Sequence, residues 1–269
     1  MKIVAVTNIK GGVGKTTTAV NLAYLCAAED RPTLLWDLDV QGGASYLLGG
    51  EPQAEASAKK LLSGEHEPLE LALATGHPRL DLLPAHFSYR NLPVHLAAHR
   101  KPTERLLRMS RALREVYEVL ILDCRAGISL LSENVLRAAD VAIVPLVPTP
   151  LSLRMLMQLT EFVVREGWSD LTLLPFFSMV DRRRALHREL ISAARGQFCA
   201  MLATEVPYWS EIERMSVYRA PLPACAPKSD AALIYRALWA EIRGRMHAGP
   251  TPAASRSTTA SAPAELLHV

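Results

Sequence analysis

The sequence predicts an α/β fold, a doubly wound and mostly parallel sheet with helices on both faces. Three observations lead to it. Short β-branched or leucine-rich runs alternate with longer helical patterns along the chain. Several of these runs are apolar throughout, as strands covered on both faces require. The first run, "KIVAVTN", passes through a glycine-rich loop into a helical pattern, which is the order of a strand, a phosphate loop and a helix N-terminus.

In chain order, "KIVAVTN" is followed by a helix over 15–29 and "TLLWDLD" reads as the second strand. The stretch 49–78 is polar and irregular and takes no assignment. Beyond it come "RLDLLPA" with a helix over 103–116, "YEVLILD" with 129–138, "DVAIVPLVP" with 151–166, and "LTLLPFFSMV" with 184–199. A last helix, about 229–246, sets Ala231, Tyr235, Leu238, Trp239, Ile242 and Met246 on one face, the spacing of a helix packed on a sheet. The composition then changes to "AGPTPAASRSTTASAPAELLHV", which has too little apolar content for a core. The expected organisation is one folded domain over 1–247 and a disordered tail over 248–269.

Among 269 residues, 49% are hydrophobic and 21% charged, enough for a substantial core. A formal net charge of +3 permits a basic patch without imposing one. Cys26, Cys124, Cys199 and Cys225 are far apart with no CxxC spacing, which argues against a zinc site or a disulfide framework. No leader pattern opens the chain and no apolar run approaches the roughly 18 residues of a membrane span. The expectation is a cytoplasmic protein with no membrane partner.

The loop "NIKGGVGKTTTAVNLA", residues 8–23, carries the chemistry. Gly11, Gly12 and Gly14 give the backbone freedom for N–H groups to surround phosphates. Lys15 supplies charge to the β and γ phosphates and Thr16 a hydroxyl for Mg²⁺; Val13 and Thr17 complete the nucleotide-binding run. The ordinary pattern G-x-x-x-x-G-K-[ST] wants Gly where Ile9 stands and makes no demand on Lys10. What stands here is K-G-G-x-G-K-T, and this resembles the deviant Walker A ATPases of the ParA/MinD family. The resemblance implies ATP/ADP and Mg²⁺ as cofactors. It also makes Lys10 a signature lysine that reaches across a homodimer to the partner's phosphates, with the logic of an arginine finger.

"TLLWDLDVQGGAS" resembles the family's D-x-D-P-Q-G-N segment, with Val40 for the usual Pro and Gly43 for the usual Asn. By that resemblance Asp37 organises the magnesium shell, and Asp39 positions or deprotonates the attacking water. "YEVLILDCRAG" reads as a Walker B strand whose Asp123 reaches Mg²⁺ through water, although Asp at such places also serves as a cap or turn residue. Arg125 and Ala126 stand where the family has two prolines. "SMVDRRRALHRE" and the closing segment with Pro207 and Pro221 resemble Soj-like members, which places Met179, Asp181 and Pro207 near the base.

On the helix from 184, Leu186, Leu190, Ala194 and Phe198 fall on one face. Arg184, Arg188 and Arg195 form a stripe about 40° wide and roughly 16 Å long. Such a row can meet phosphates without reading bases, or can be an ordinary solvated face. The resemblance favours non-specific DNA, with Arg214 and Arg219 as further contacts and a nucleoid-associated location. Glu211 and Arg214 reverse the charges common at those places. The function so implied is cargo partition or positioning by an ATP-switched dimer, with a ParB-like or other cargo adaptor stimulating hydrolysis. The alternatives are a MinD-type membrane-surface ATPase, with the last helix or a partner as anchor, and a small-molecule phosphoryl-transfer enzyme of dethiobiotin-synthetase type.

Overall fold

The computed structural model describes residues 1–51 and 57–247; the tail expected over 248–269 lies outside them. Seven strands are formed: β1 (Lys2–Val6), β2 (Thr33–Asp37), β3 (Leu73–Ala74), β4 (Leu80–Leu83), β5 (Val119–Asp123), β6 (Val141–Leu146) and β7 (Thr172–Phe177). They make one sheet in the order β3-β4-β2-β5-β1-β6-β7. Every neighbouring pair is parallel except the β3–β4 edge pair. The helices are α1 (Lys15–Ala28), α2 (Gly43–Leu47), α3 (Ala58–Ser63), α4 (Leu92–Ala97), α5 (Arg105–Met109) and α6 (Leu130–Ala138). They continue as α7 (Pro150–Arg165), α8 (Ala185–Gln197), α9 (Ser210–Glu213), α10 (Met215–Tyr218), α11 (Leu222–Cys225) and α12 (Asp230–His247).

Successive strand residues serve opposite cores, and for that reason the runs are apolar throughout. Ile3 and Ala5 of β1 join Leu120 and Leu122 of β5 in one core, with Val135 of α6, Leu156 of α7 and Ile191 of α8. Val4 and Val6 join Ile121 and Ile143 in the other, with Val20 and Leu22 of α1 and Tyr235, Trp239 and Ile242 of α12. Each large side chain fully buried here contributes about 1.5–3 kcal/mol relative to exposure. The face expected of the last helix is buried as anticipated, with Met246 partly buried against the same core. That apolar face is therefore spent on the core and not free to anchor a membrane. No helix among the described residues is long and apolar enough to cross one.

Three expectations change. The helix over 103–116 is broken into α5 and a 3₁₀ turn over Ala112–Glu115. The Asn134 side chain takes the N–H groups of Arg105 and Leu106 and donates to the Pro102 carbonyl, so the start of α5 is fixed against α6. The unassigned stretch contains α3, capped by Ser57, and the short strand β3. On α8 the buried face is His187, Leu190, Ile191 and Ala194, while Leu186 is 38% exposed. His187 Nδ1 accepts the Asp181 N–H at 3.1 Å, and this anchor turns the helix from its expected face.

Candidate phosphate and magnesium site

The site forms where β1 gives way to α1. Buried Asn8 fixes the start of the loop: its Nδ2 donates to the Pro145 carbonyl at 2.6 Å, and its Oδ1 accepts the Lys10 N–H at 2.9 Å. Gly12 and Gly14 adopt φ of 67° and 87°, the left-handed region that glycine enters without strain. Gly14 caps α1 with no side-chain hydrogen bond, so among the described residues the first-turn N–H groups have no side-chain cap and form the positive end of the helix dipole. A Cβ on Gly14 would stand 3.1 Å from Ser178 Oγ, so bulk is unwelcome there. Val13 is buried, and Thr16 is half-buried at the first turn.

The two lysines differ in setting. Lys15 is 8% exposed and its Nζ donates to the Lys10 carbonyl at 3.2 Å. Burial lowers its pKa, opposed by the charges of Asp123, Cys124 and Asp39. The Lys10 side chain, at the mouth of the loop, makes no ion pair among the described residues.

Asp37 and Asp123 end neighbouring strands in direct register, and both are fully buried. Asp37 is held from its own chain: Oδ2 accepts Ser45 N–H at 2.8 Å and Ser45 O–H at 2.7 Å, and Oδ1 accepts the Asp39 N–H at 3.2 Å. Neither Asp123 oxygen has a hydrogen-bond partner among the described residues. Burial first, and then the charge of Asp37, push Asp123 well above the usual carboxylate range; the Thr16 hydroxyl and Lys15 oppose that rise without meeting hydrogen-bond geometry. Burial likewise raises Asp37, against the Ser45 hydrogen bonds. An orphaned carboxylate in a buried site is expensive unless a cation completes it. Asp123, Thr16 and Asp37 thus fit a magnesium ion bound beside phosphates. No group of three or more His, Cys, Asp or Glu is arranged to hold a metal alone among the described residues, and Mg²⁺ typically draws much of its shell from phosphate and water.

Asp39 is half-buried at the mouth, with Oδ1 accepting the Gln41 N–H at 3.1 Å. The glycine at position 43 has a local reason. A Cβ there would lie 3.0 Å from Thr16 Cγ2, so Gly43 lets α2 approach the magnesium-side threonine.

Beside the loop, Gly14, Thr17, Ser178, Met179, Pro207 and Trp209 line a cleft of about 110 Å³. Met179 adopts φ of 54°, and Val180 pairs with Pro207 in an isolated parallel bridge. Met179 and Pro207 thus line this cleft on the β7 side of the phosphate loop. Asp181 instead faces the adjoining cleft of about 810 Å³, with Arg183, Tyr208 and Glu211. Its carboxylate accepts from both Arg183 nitrogens at 2.9 and 3.0 Å, and these bonds hold its pKa down at about 2. Sequence reasoning missed Asn8, Ser45, Ser178 and Trp209. The aromatic "PYW" at 207–209 was the one local signal for the cleft.

The five arginines expected at a polyanion surface fall into different settings. Arg195 donates to Glu205 at 2.8 Å and to the Ala203 carbonyl at 2.7 Å, and Arg182, not anticipated, meets the same Glu205 at 3.0 Å. Arg188 donates to the Arg182 carbonyl at 2.6 Å and lines a shallow cleft with Arg182 and Arg195. Arg184 is exposed, 3.8 Å from Asp181. Arg214 is exposed beside α10, while Arg219 donates to the Tyr46 carbonyl at 3.0 Å and covers the Tyr46 ring, which ties it to α2.

A strand, glycine loop and helix flanked by strand-end carboxylates on a parallel sheet define a P-loop nucleotide-binding protein. Residues 1–166 match a family model described as an AAA domain. The chain is 36% identical to the chromosome-partitioning ATPase Soj of Thermus thermophilus over 259 residues, covering 90% of this chain and 96% of that one. It is 30% identical to the sporulation initiation inhibitor protein Soj of Bacillus subtilis over 247 residues, covering 90% and 98%. Among solved structures it resembles cobyrinic acid a,c-diamide synthase from Mycobacterium smegmatis with bound ADP and magnesium, at TM-score 0.78 and 26% identity, covering 94% and 98%. The chain belongs to the ParA/MinD family of deviant Walker A ATPases.

Proposed function

We propose that the protein is a ParA-type ATPase that partitions or positions a cargo. In this reading it dimerises when ATP is bound, the dimer holds DNA without reading its sequence, and a ParB-like or other adaptor stimulates hydrolysis and release. The observation that carries it is the pair of lysines in one loop, Lys15 turned inward and Lys10 at the mouth without an ion pair among the described residues. A charge supplied to a neighbour's nucleotide would stabilise the negative charge that builds up in phosphoryl transfer and make ATP part of the interface.

The side chains divide the work. Lys15 and the N–H groups from Gly11 to Thr17 bind the phosphates. Thr16, Asp37 and Asp123 hold Mg²⁺, which neutralises developing charge when bound. Asp39, with one oxygen engaged by Gln41 and set at the mouth, positions the attacking water. Met179 and Pro207 flank the base. Hydrolysis is slow until dimerisation and the adaptor bring Lys10 and the loops into place. Of the five arginines above, Arg184, Arg188 and Arg214 are exposed, donate no hydrogen bond to a carboxylate among the described residues and are not tied to α2 as Arg219 is, and they support a DNA surface. A cytoplasmic, nucleoid-associated location follows from that surface.

Fluorescence anisotropy with DNA of arbitrary sequence, run against anionic vesicles, tests the reading. Binding to DNA only with a slowly hydrolysed ATP analogue, and weakening with salt, is expected. Vesicle binding in place of DNA would move the protein to the membrane-surface class. The likeness to a cobyrinic acid a,c-diamide synthase favours a second reading, ATP-dependent chemistry on small carboxylates. ADP release stimulated by such a compound, with no binding to DNA, would establish it.

A further inference from the structure

We infer that Arg125 contacts the terminal phosphate held by its own chain's loop and so distinguishes ATP from ADP. The inference rests on the nucleotide reading above and adds a residue that this reading leaves idle.

The direction of a nucleotide over the loop follows from the sheet order. β6 and β7 lie on one side of β1, and β5 and β2 on the other. The base cleft, with Ser178 and Met179 following β7, opens on the first side beside Gly14 and Thr17. Asp123 and Asp37 end β5 and β2 on the second. A nucleotide with its base in the cleft therefore runs its phosphates across the loop toward β5. Its last phosphate ends by the segment after Asp123.

That segment is pinned close to the loop. The Cys124 N–H donates to the Val6 carbonyl at 3.2 Å, and a Cβ on Gly11 would lie 3.9 Å from the Ala126 Cβ. Arg125 stands between these two anchors. It is exposed and makes no hydrogen bond or ion pair among the described residues. Arg182, Arg183 and Arg195 differ in that each is committed to a carboxylate. Gly127, at φ of 110°, gives the chain a bend just beyond, from which the segment can close on a phosphate. A guanidinium free of carboxylates presents a planar donor fork suited to phosphate oxygens. Contact with the γ-phosphate alone adds affinity to ATP and none to ADP, whereas Lys15 and the loop N–H groups serve both.

The test measures equilibrium binding of ADP and of a slowly hydrolysed ATP analogue to the wild type, Arg125→Ala and Arg125→Lys. Arg125→Ala is expected to weaken the ATP analogue by about tenfold or more, the scale of one charge-assisted hydrogen bond. ADP affinity should stay within about twofold, which also reports an intact site, and Arg125→Lys should recover part of the loss. Unchanged affinity for both nucleotides would make Arg125 an ordinary solvated side chain and overturn the inference. A parallel loss for both would also overturn it, since the segment would then shape the whole site. Repeating the pair in a Lys10→Ala background isolates the subunit: a loss that persists supports contact within one chain, and one that vanishes contradicts it. A wild type that binds neither nucleotide would instead end the nucleotide reading itself.

Discussion

The phosphate end of the sheet and the arginine-bearing side of α8 treat charge in opposite ways. At the phosphate end, Asp123 is fully buried with both oxygens unpartnered among the described residues, where Lys10 likewise has no counter-ion. Around α8, three exposed arginines are matched: Arg195 and Arg182 share Glu205, and Arg183 clasps Asp181. Exposed pairs of the second kind contribute little, about 0–1 kcal/mol, and show little about a ligand. Buried charge without a partner costs the empty fold several kcal/mol and is retained where a ligand completes it. A row of arginines at helical spacing is thus a weaker pointer to function than one orphaned carboxylate.

The largest effect belongs to Lys15. Lys15→Ala should weaken ATP binding by about a hundredfold or more, because it removes the cation that serves both phosphates; retained micromolar affinity in titration calorimetry would break the comparison at its stronger end. Asp39→Ala should lower turnover by about a hundredfold, the lower range for loss of a positioned base, while the ATP-bound dimer accumulates. Wild-type phosphate release from that variant would contradict the role.

Asp123→Asn sharpens the contrast through stability. Burial holds this carboxyl above its usual range, so the magnesium-free folded state binds a proton that the unfolded chain releases above about pH 4. Stability of that form should fall as pH rises through the window. The amide removes the slope and should raise the magnesium-free Tm at pH 7 by roughly 2–4 °C for each kcal/mol relieved. It should also abolish the added stabilisation by Mg²⁺ with nucleotide. A lower Tm in the variant would mean that the carboxylate has a partner at neutral pH.

The smallest effects lie at α8. Arg188→Ala should reduce DNA affinity a few-fold and lower the salt slope by about one, as expected for one phosphate contact. Arg195→Ala should change it less than twofold, since that guanidinium is already engaged by Glu205 and the Ala203 carbonyl. The reverse order in anisotropy titrations would show that the pairing with Glu205 opens on DNA.

The legible parts of the molecule were those fixed locally. Lys10 to Thr17 lie in one loop, Asp37 and Asp123 close apolar runs, and the buried face of α12 follows from its own spacing. What escaped depends on partners far along the chain. Asn8 is set by Pro145, the start of α5 by Asn134, and the pairing of Arg195 by Glu205 across an intervening turn. The face of α8 failed for a subtler reason. Leu186 is the more apolar residue, yet His187 is buried because its ring nitrogen takes the Asp181 N–H, a bond invisible to hydrophobic periodicity. Ser45 is the missed residue nearest the chemistry, with hydroxyl and N–H both on Asp37. Its place follows from the turn after β2 that returns α2 to Asp37, which no apolar spacing marks.

Light scattering of the wild type and Lys10→Ala, each with ADP and with a slowly hydrolysed ATP analogue, tests the central claim most directly. The account predicts a wild-type dimer with the ATP analogue alone, and a Lys10→Ala protein that binds the analogue but stays monomeric. A Lys10→Ala dimer equal to the wild type's, or a wild type monomeric in every condition, would contradict a lysine that serves the neighbouring subunit's nucleotide.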